Sequence, residues 1–438
     1  MSADRYDVAV VGAGIVGLAV AREVLMRHPD AKVLVIDKAD AVAQHQTGHN
    51  SGVIHAGVYY APGSLKAQLC VRGAKLMYEF CEQNAIAFER CGKLIVAVKK
   101  DELPRLNDLE ARARANGVPG LRRIEAGEIS EIEPECRGLA ALHSPNTGIV
   151  DFAAVARAIE RELRDKGVDF ALGCEITALR RENGSGTVLT HADGEFLASW
   201  AIACAGLWSD RLAVSAGAPA EPRVVPFRGA YLRLADRQPP VVRGMVYPVP
   251  DPALPFLGVH VTRHIDGGVM LGPTALLVAA RNGYGRQGSR SAMRAGLRHA
   301  GVAPRGAREI PRDAGEILRD AGETLRDAGD TLRWPGTWAL AKDFWRTGVT
   351  ELTMASSRRL FVKKCSRYVP AVAFMEMERG SVRGVRAQAV DRHGRLVDDF
   401  TISQTPGVTH VRNAPSPAAT SSFALAARIV DEADTART

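Results

Sequence analysis

Residues 7–37 read DVAVVGAGIVGLAVAREVLMRHPDAKVLVID, and this stretch decides the fold. Asp7 to Val11 is a short valine-rich apolar run, the composition of a buried parallel strand. Gly12, Gly14 and Gly17 follow it with G-x-G-x-x-G spacing. Ile15 to Arg27 predicts a helix closed by His28-Pro29-Asp30, and Lys32 to Ile36 predicts a second strand. Each glycine has a physical task. Gly12 permits a tight turn, Gly14 lets backbone approach a pyrophosphate, and Gly17 lets the helix pack closely on the sheet with its N-terminus facing the anion. Asp37 stands 20 residues beyond Gly17, where a carboxylate accepts hydrogen bonds from ribose hydroxyls. Strand, helix, strand and terminal acid together predict a dinucleotide site rather than a merely glycine-rich turn. They leave the dinucleotide and the reaction open.

The rest of the composition narrows the class. A chain of 438 residues with 46% hydrophobic content is long enough for two domains or one elaborated one. Its 57 basic and 49 acidic residues leave a net charge of +8, and the basic side chains are interleaved with acids, as in RRENG and RDAGE. That pattern is a solvated surface rather than a nucleic-acid stripe, so no nucleic-acid partner is expected. The mild positive field favours an anionic substrate. Seven widely spaced cysteines without a C-x-x-C argue against a zinc site and a disulfide framework, and suit a reducing cytoplasm. The apolar run Val8 to Ala21 is 14 residues with three glycines, too short for a bilayer. With Asp4 and Asp7 at its start, no signal peptide is expected. The expectation is a soluble cytoplasmic protein, with peripheral contact to the inner membrane and the oligomeric state left open.

Beyond Asp37, Gln44 to Gly57 is a polar glycine-rich loop, and such loops inside compact domains are usually functional. His45, His49 and His55 within it lack helical ligand spacing and have no carboxylate among them, so no metal is expected. Leu65 to Asn84 predicts a helix and Gly92 to Val98 a strand. Asp151 is placed to cap a helix whose Phe152, Val155, Ala156, Ile159 and Leu163 fall at core-facing spacing. AIACAGLWSD, Ala201 to Asp210, predicts a second buried strand broken at a glycine, Gly206, and so another close approach to the cofactor. Pro226 to Thr274 alternates as an antiparallel sheet carrying Arg228, Tyr231, Tyr247, His260 and Arg263 among apolar neighbours, a set suited to an anion pocket. RDAGEIL, RDAGETL and RDAGDTL then repeat every seven residues to Leu332, predicting a weakly amphipathic surface helix along Leu318, Leu325 and Leu332. The arginine-rich segment before it, Arg281 to Arg312, reads as flexible. A coiled-coil docking helix is the alternative use of the repeat.

At this point the residues carry a resemblance. VVGAGIVGLAVA with VID, the AIACAGLWSD element and the late GVRAQ strand resemble the D-amino-acid-oxidase-like superfamily of FAD enzymes. HQTGHNSGVIHAGVYYAPGSLKA, PFRGAY, GVHVTRHIDGGVMLGP and APSPAAT are more narrowly similar to the L-2-hydroxyglutarate oxidase/dehydrogenase family. The resemblance implies an α/β fold: a discontinuous FAD-binding Rossmann-like domain (1–90, 150–215 and 360–438) and a mixed or antiparallel β-sheet substrate domain (91–149 and 216–359, with a repeat-bearing helical insertion near 281–333). The cofactor it implies is FAD, the substrate a small dicarboxylate oxidised to 2-oxoglutarate, and the electron acceptor oxygen or a quinone.

Site residues follow from the same comparison. Gly12, Gly14, Ile15, Gly17, Asp37 and Lys38 would hold the nucleotide, with Ile176 and Gly206 nearby. Thr47, Asn50, Ser51, Gly52, Ser416 and Ala418 would approach the flavin. Removing a hydroxyl proton while hydride leaves C2 for flavin N5 calls for a base of near-neutral pKa, and histidine is the natural one. His55 is the first choice and His260 the second. Arg386 falls where relatives hold a substrate carboxylate, a task suited to a bidentate guanidinium. Arg228, Tyr247 and Arg263 are candidates for the distal carboxylate. Ala230, Leu232 and Thr274 depart from the family's FRGEYY-like and GPNA patterns. The runner-up reading is a related flavin oxidase of another 2-hydroxy or amino acid.

Overall fold

The computed structural model describes residues 5–182, 186–235, 240–252, 257–278, 280–281, 314–378 and 382–437. Segment 282–313 and the expected Asn183-Gly184 turn therefore lie outside the described residues.

The opening stretch folds as its pattern dictates, into strand Arg5–Val11, helix Ile15–Arg27 and strand Val33–Asp37. Both strands pair in parallel, and Arg5–Val11 pairs on its other side with Gly194–Ala203. Because side chains alternate, Val8 and Val10 face one apolar layer while Ala9 and Val11 face the other. Helices Ile15–Arg27, Leu65–Gln83, Phe152–Asp165 and Ala418–Arg437 cover the first face, each with buried members in one cluster. Burying side chains such as Val8 and Leu18 stabilises this layer by about 2 kcal/mol apiece. The expected cap is present, with Asp151 Oδ1 accepting from Ala153 N at 2.8 Å. The full sheet runs Ala178–Glu182, Gly186–His191, Gly194–Ala203, Arg5–Val11, Val33–Asp37, Asp169–Leu172, with Val408–Asn413 beside Gly194–Ala203 and Thr401–Thr405 beside that.

A second sheet of nine strands is antiparallel except where Met245–Pro248 lies parallel to Lys93–Ala97. Its members come from 93–144, 223–277 and Val382–Val390, the last paired antiparallel with Arg223–Arg233. The 360–438 segment expected in the cofactor domain is thus divided, because the GVRAQ strand completes the second sheet instead of the first. This places Arg386 opposite Phe227, on the face shared by Gly229 and Tyr231.

The heptads form helix Ala314–Arg333, followed by Pro335–Ser356. The leucine stripe does not supply the docking face. Leu325 and Leu332 are 74% and 55% exposed, whereas Asp327 is 2% and Thr331 5% exposed. All seven cysteines are free, and among the described residues no helix is long and apolar enough to cross a membrane.

Candidate active site

A cavity of about 730 Å³ lies between the two sheets. Its size is in the range of cofactor and ligand sites. One end is walled by Gly12, Gly14, Asp37 and Ile176, and the other by His55, Tyr247, His260 and Arg386.

The nucleotide end is made largely of backbone. Gly12 has φ +117, and a Cβ there would collide with the carbonyl oxygen of Cys204; a Cβ on Gly17 would collide with that of Gly12. The turn therefore closes only with hydrogen at both positions. Helix Ile15–Arg27 begins at Gly14, which offers no side-chain cap, and carries no acidic residue in its first turn. Its positive end is left facing the cavity, with Thr47 Oγ1 accepting from Ile15 N at 3.0 Å. Helix Ala418–Arg437 also starts on the cavity wall, again without acid in its first turn. Asp37 closes the second strand, its Oδ2 2.6 Å from Ala13 N and its Oδ1 2.9 Å from Ala39 N. Lys38 Nζ lies 3.6 Å from the Trp208 ring centroid, which joins the segment after Gly206 to the end of that strand. The groups present fit an anionic dinucleotide: two helix N-termini whose N–H groups donate, glycines that let backbone approach, and a carboxylate to accept from ribose.

The loop between the ends is internally braced. Asn50 donates to Gln46 O and Thr47 O and accepts from Gly52 N at 2.8 Å. A Cβ on Gly384 would strike the carbonyl oxygen of His49, so glycine in GVRAQ lets this loop rest on the Arg386 strand.

The far end is made of side chains. His260 donates Nδ1–H to Gly258 O at 2.8 Å, which fixes its tautomer, and stacks on Tyr247 at 3.8 Å between centroids. Burial holds its pKa far below the ordinary 6.5, at about 3. Burial also lowers His55 well below 6.5, with the nearby charge of Lys93 and Arg386 adding to the effect. His55 Nδ1 is buried without a partner, while Nε2 lies 3.5 Å from Ser416 Oγ. Nε2 is thus the nitrogen within reach of a ligand. Both imidazoles are neutral at physiological pH.

Sequence reasoning missed Lys93. It opens strand Lys93–Ala97, is 2% exposed, and lies behind the Tyr59 and Tyr247 rings with Nζ 5.2 and 4.5 Å from their centroids. Burial pulls its pKa down to about 8. The signal was a lone lysine heading the otherwise apolar run GKLIVAV.

Of the residues singled out from the sequence, Ile15, Gly17, Lys38, Thr47, Asn50 and Ser51 line the cavity, as do Gly206, Ser416 and Ala418. Gly52, Arg228 and Arg263 do not. Arg228 pairs with Val385, the neighbour of Arg386, so alternation sends it to the opposite face. Arg263 donates instead to Glu89 Oε1 and Arg243 O, both at 2.9 Å. The three loop histidines diverge: His45 meets the edge of Trp208, His49 Nδ1 bonds His45 O, and only His55 reaches the far end.

This architecture is that of a flavin enzyme, and the chain belongs to the FAD dependent oxidoreductase (DAO) family, which matches residues 7–432. FAD is its cofactor and a small molecule its substrate. The chain is 43% identical to the mitochondrial L-2-hydroxyglutarate dehydrogenase of Nematostella vectensis, covering 98% of this chain and 91% of that one. It is 40% identical to the human mitochondrial enzyme of that name, over 98% and 89%. The L-2-hydroxyglutarate dehydrogenase of Indibacter alkaliphilus is 37% identical over 97% and 98%. In fold it is similar to the FAD-bound L-alpha-glycerophosphate oxidase from Mycoplasma pneumoniae, with TM-score 0.70 at 21% identity over 98% and 94% of the two chains.

Proposed function

We propose that this chain oxidises L-2-hydroxyglutarate to 2-oxoglutarate. The observation that carries the reading is the far end of the cavity, where two neutral histidines sit among the positive charges of Arg386 and Lys93. Relatives alike over nearly the whole chain bear the name of that activity.

The substrate is a dianion whose alcohol must lose its hydroxyl proton as the hydrogen at C2 departs. Arg386 offers a planar fork for the carboxylate beside the reacting carbon. Lys93, behind the tyrosines, adds a fixed positive field favouring the second negative charge. Tyr59 and Tyr247 form the wall between that cation and the cavity, and so exclude water from its surroundings. His55 accepts the hydroxyl proton at Nε2. Its neutrality, enforced by burial, keeps that lone pair available at neutral pH. His260 is the weaker base at a pKa of about 3, and orients the substrate through its remaining nitrogen. A bound flavin supplies the two-electron acceptor for the hydrogen at C2. The acceptor that regenerates it is oxygen or a quinone-type molecule; turnover with oxygen against a quinone analogue decides between them.

The reading is tested by anaerobic addition of 2-hydroxy acids and amino acids to the purified holoenzyme. Bleaching of the flavin by L-2-hydroxyglutarate, with 2-oxoglutarate formed in equal amount, is expected. Bleaching by an amino acid and not by L-2-hydroxyglutarate refutes it.

A further inference from the structure

The heptad repeat plays no part in the chemistry above, and it meets the rest of the chain through its aspartates. The face turned inward carries Asp327 and Thr331, while Leu325 and Leu332 point to solvent. What holds the helix is charge. Asp327 Oδ1 lies 2.8 Å from Arg211 Nη2, and its Oδ2 accepts from Arg281 N at 2.7 Å. Asp330 Oδ2 accepts from Arg211 Nε, also at 2.7 Å. Arg281 in turn bonds Asp210, which is 0% exposed and accepts from Val224 N at 3.1 Å. Arg281 donates as well to Leu207 O at 2.6 Å. The ion pairs therefore tie the repeat helix to the segment that follows the glycine-ended strand at Gly206.

That segment is a wall of the cavity. Leu207, Trp208, Arg211 and Leu212 all line it, and so does Arg326 from the repeat itself. The wall stands at the nucleotide end, since Trp208 carries Lys38 against its ring and Lys38 follows Asp37 in sequence. A helix anchored through apolar packing would be a passive addition to the surface. This one is anchored by aspartates to an arginine in the wall, and it contributes a cation of its own beside the place where the anionic cofactor lies.

We infer that the last heptad, Arg326–Leu332, belongs to the cofactor site and acts as a clasp that slows release of FAD. Arg326 supplies positive charge at the rim. Asp327 and Asp330 hold the helix and Arg211 in register with the wall. Removing one partner of a buried pair leaves the other uncompensated, so the clasp loosens as a unit. Among the described residues these contacts come from the last repeat, and the clasp is assigned to it.

The test follows FAD leaving the full-length holoenzyme after dilution, by the rise of free-flavin fluorescence. Asp327→Asn/Asp330→Asn should release FAD at least ~10-fold faster, a change of about 1.4 kcal/mol. Raising the salt should speed release from the wild type and have little effect on this variant. Arg326→Gln, which leaves the ion pairs intact, should release FAD severalfold faster and guards against a double variant that fails to fold. Deleting residues 319–325, one whole heptad, should leave the release rate unchanged. Wild-type release rates in both folded point variants would overturn the clasp; faster release from the heptad deletion would overturn its assignment to the last repeat.

Discussion

At the Asp37 end of the cavity the turn that meets the anion comes from one contiguous stretch of chain, Val11 to Lys38, and its glycines offer backbone. At the His55 end the groups are side chains from five separate segments, carrying His55, Lys93, Tyr247, His260 and Arg386. The first end recognises what all dinucleotides share, through a turn that only glycine can close. The second holds titratable groups out of water, so its properties depend on burial that no local pattern encodes.

The sharpest way to break this comparison is at Gly17. Gly17→Val should abolish FAD binding, lowering affinity by ~100-fold or more, because its Cβ has no room beside the Gly12 carbonyl. Flavin content of the purified protein checks it, and a normally loaded variant would show that the turn has slack.

At the other end, His55→Asn should keep FAD and lose ~10²- to 10⁴-fold in the rate of flavin reduction, the usual worth of a positioned base. In the wild type the base works neutral, and burial holds its pKa well below 6.5. The rate should therefore be flat as pH falls through 6.5 and decline only below it. A larger loss in His260→Gln than in His55→Asn would exchange their roles.

Lys93→Met should cost about tenfold in kcat/KM, or about 1.4 kcal/mol. Its charge is present below about pH 8 and is lost as pH rises through that value, so the wild-type kcat/KM should fall on that limb. The variant should lose the alkaline limb and keep the acid one. An unchanged alkaline limb would assign it to another group.

The same contrast explains what was legible. Strand, glycine turn, helix and Asp37 were readable because each is a local consequence of residue type and spacing. The Arg386 face was not. The sequence places GVRAQ with its neighbours in the cofactor domain, and only the register with Arg223–Arg233 sets Arg386 toward the cavity and Arg228 away from it. Arg263 is drawn off by Glu89, which is 174 residues distant in sequence. In the repeat, leucine spacing indicates a surface helix but not how it is held, since Asp327 finds Arg211 and the amide of Arg281 through contacts that periodicity does not describe. Backbone geometry is legible from local spacing, whereas a side chain whose partner is distant in sequence is not.

The central claim is that retention of the flavin and its reduction by L-2-hydroxyglutarate reside at separate ends of one cavity. Anaerobic stopped-flow reduction of Arg386→Ala holoenzyme, followed against substrate concentration beside the wild type, tests it most directly. The account predicts full flavin occupancy with a half-saturating concentration raised ~100-fold, the scale of removing one partner of a carboxylate–guanidinium pair. Loss of FAD from the variant, or reduction at wild-type concentrations, would contradict it.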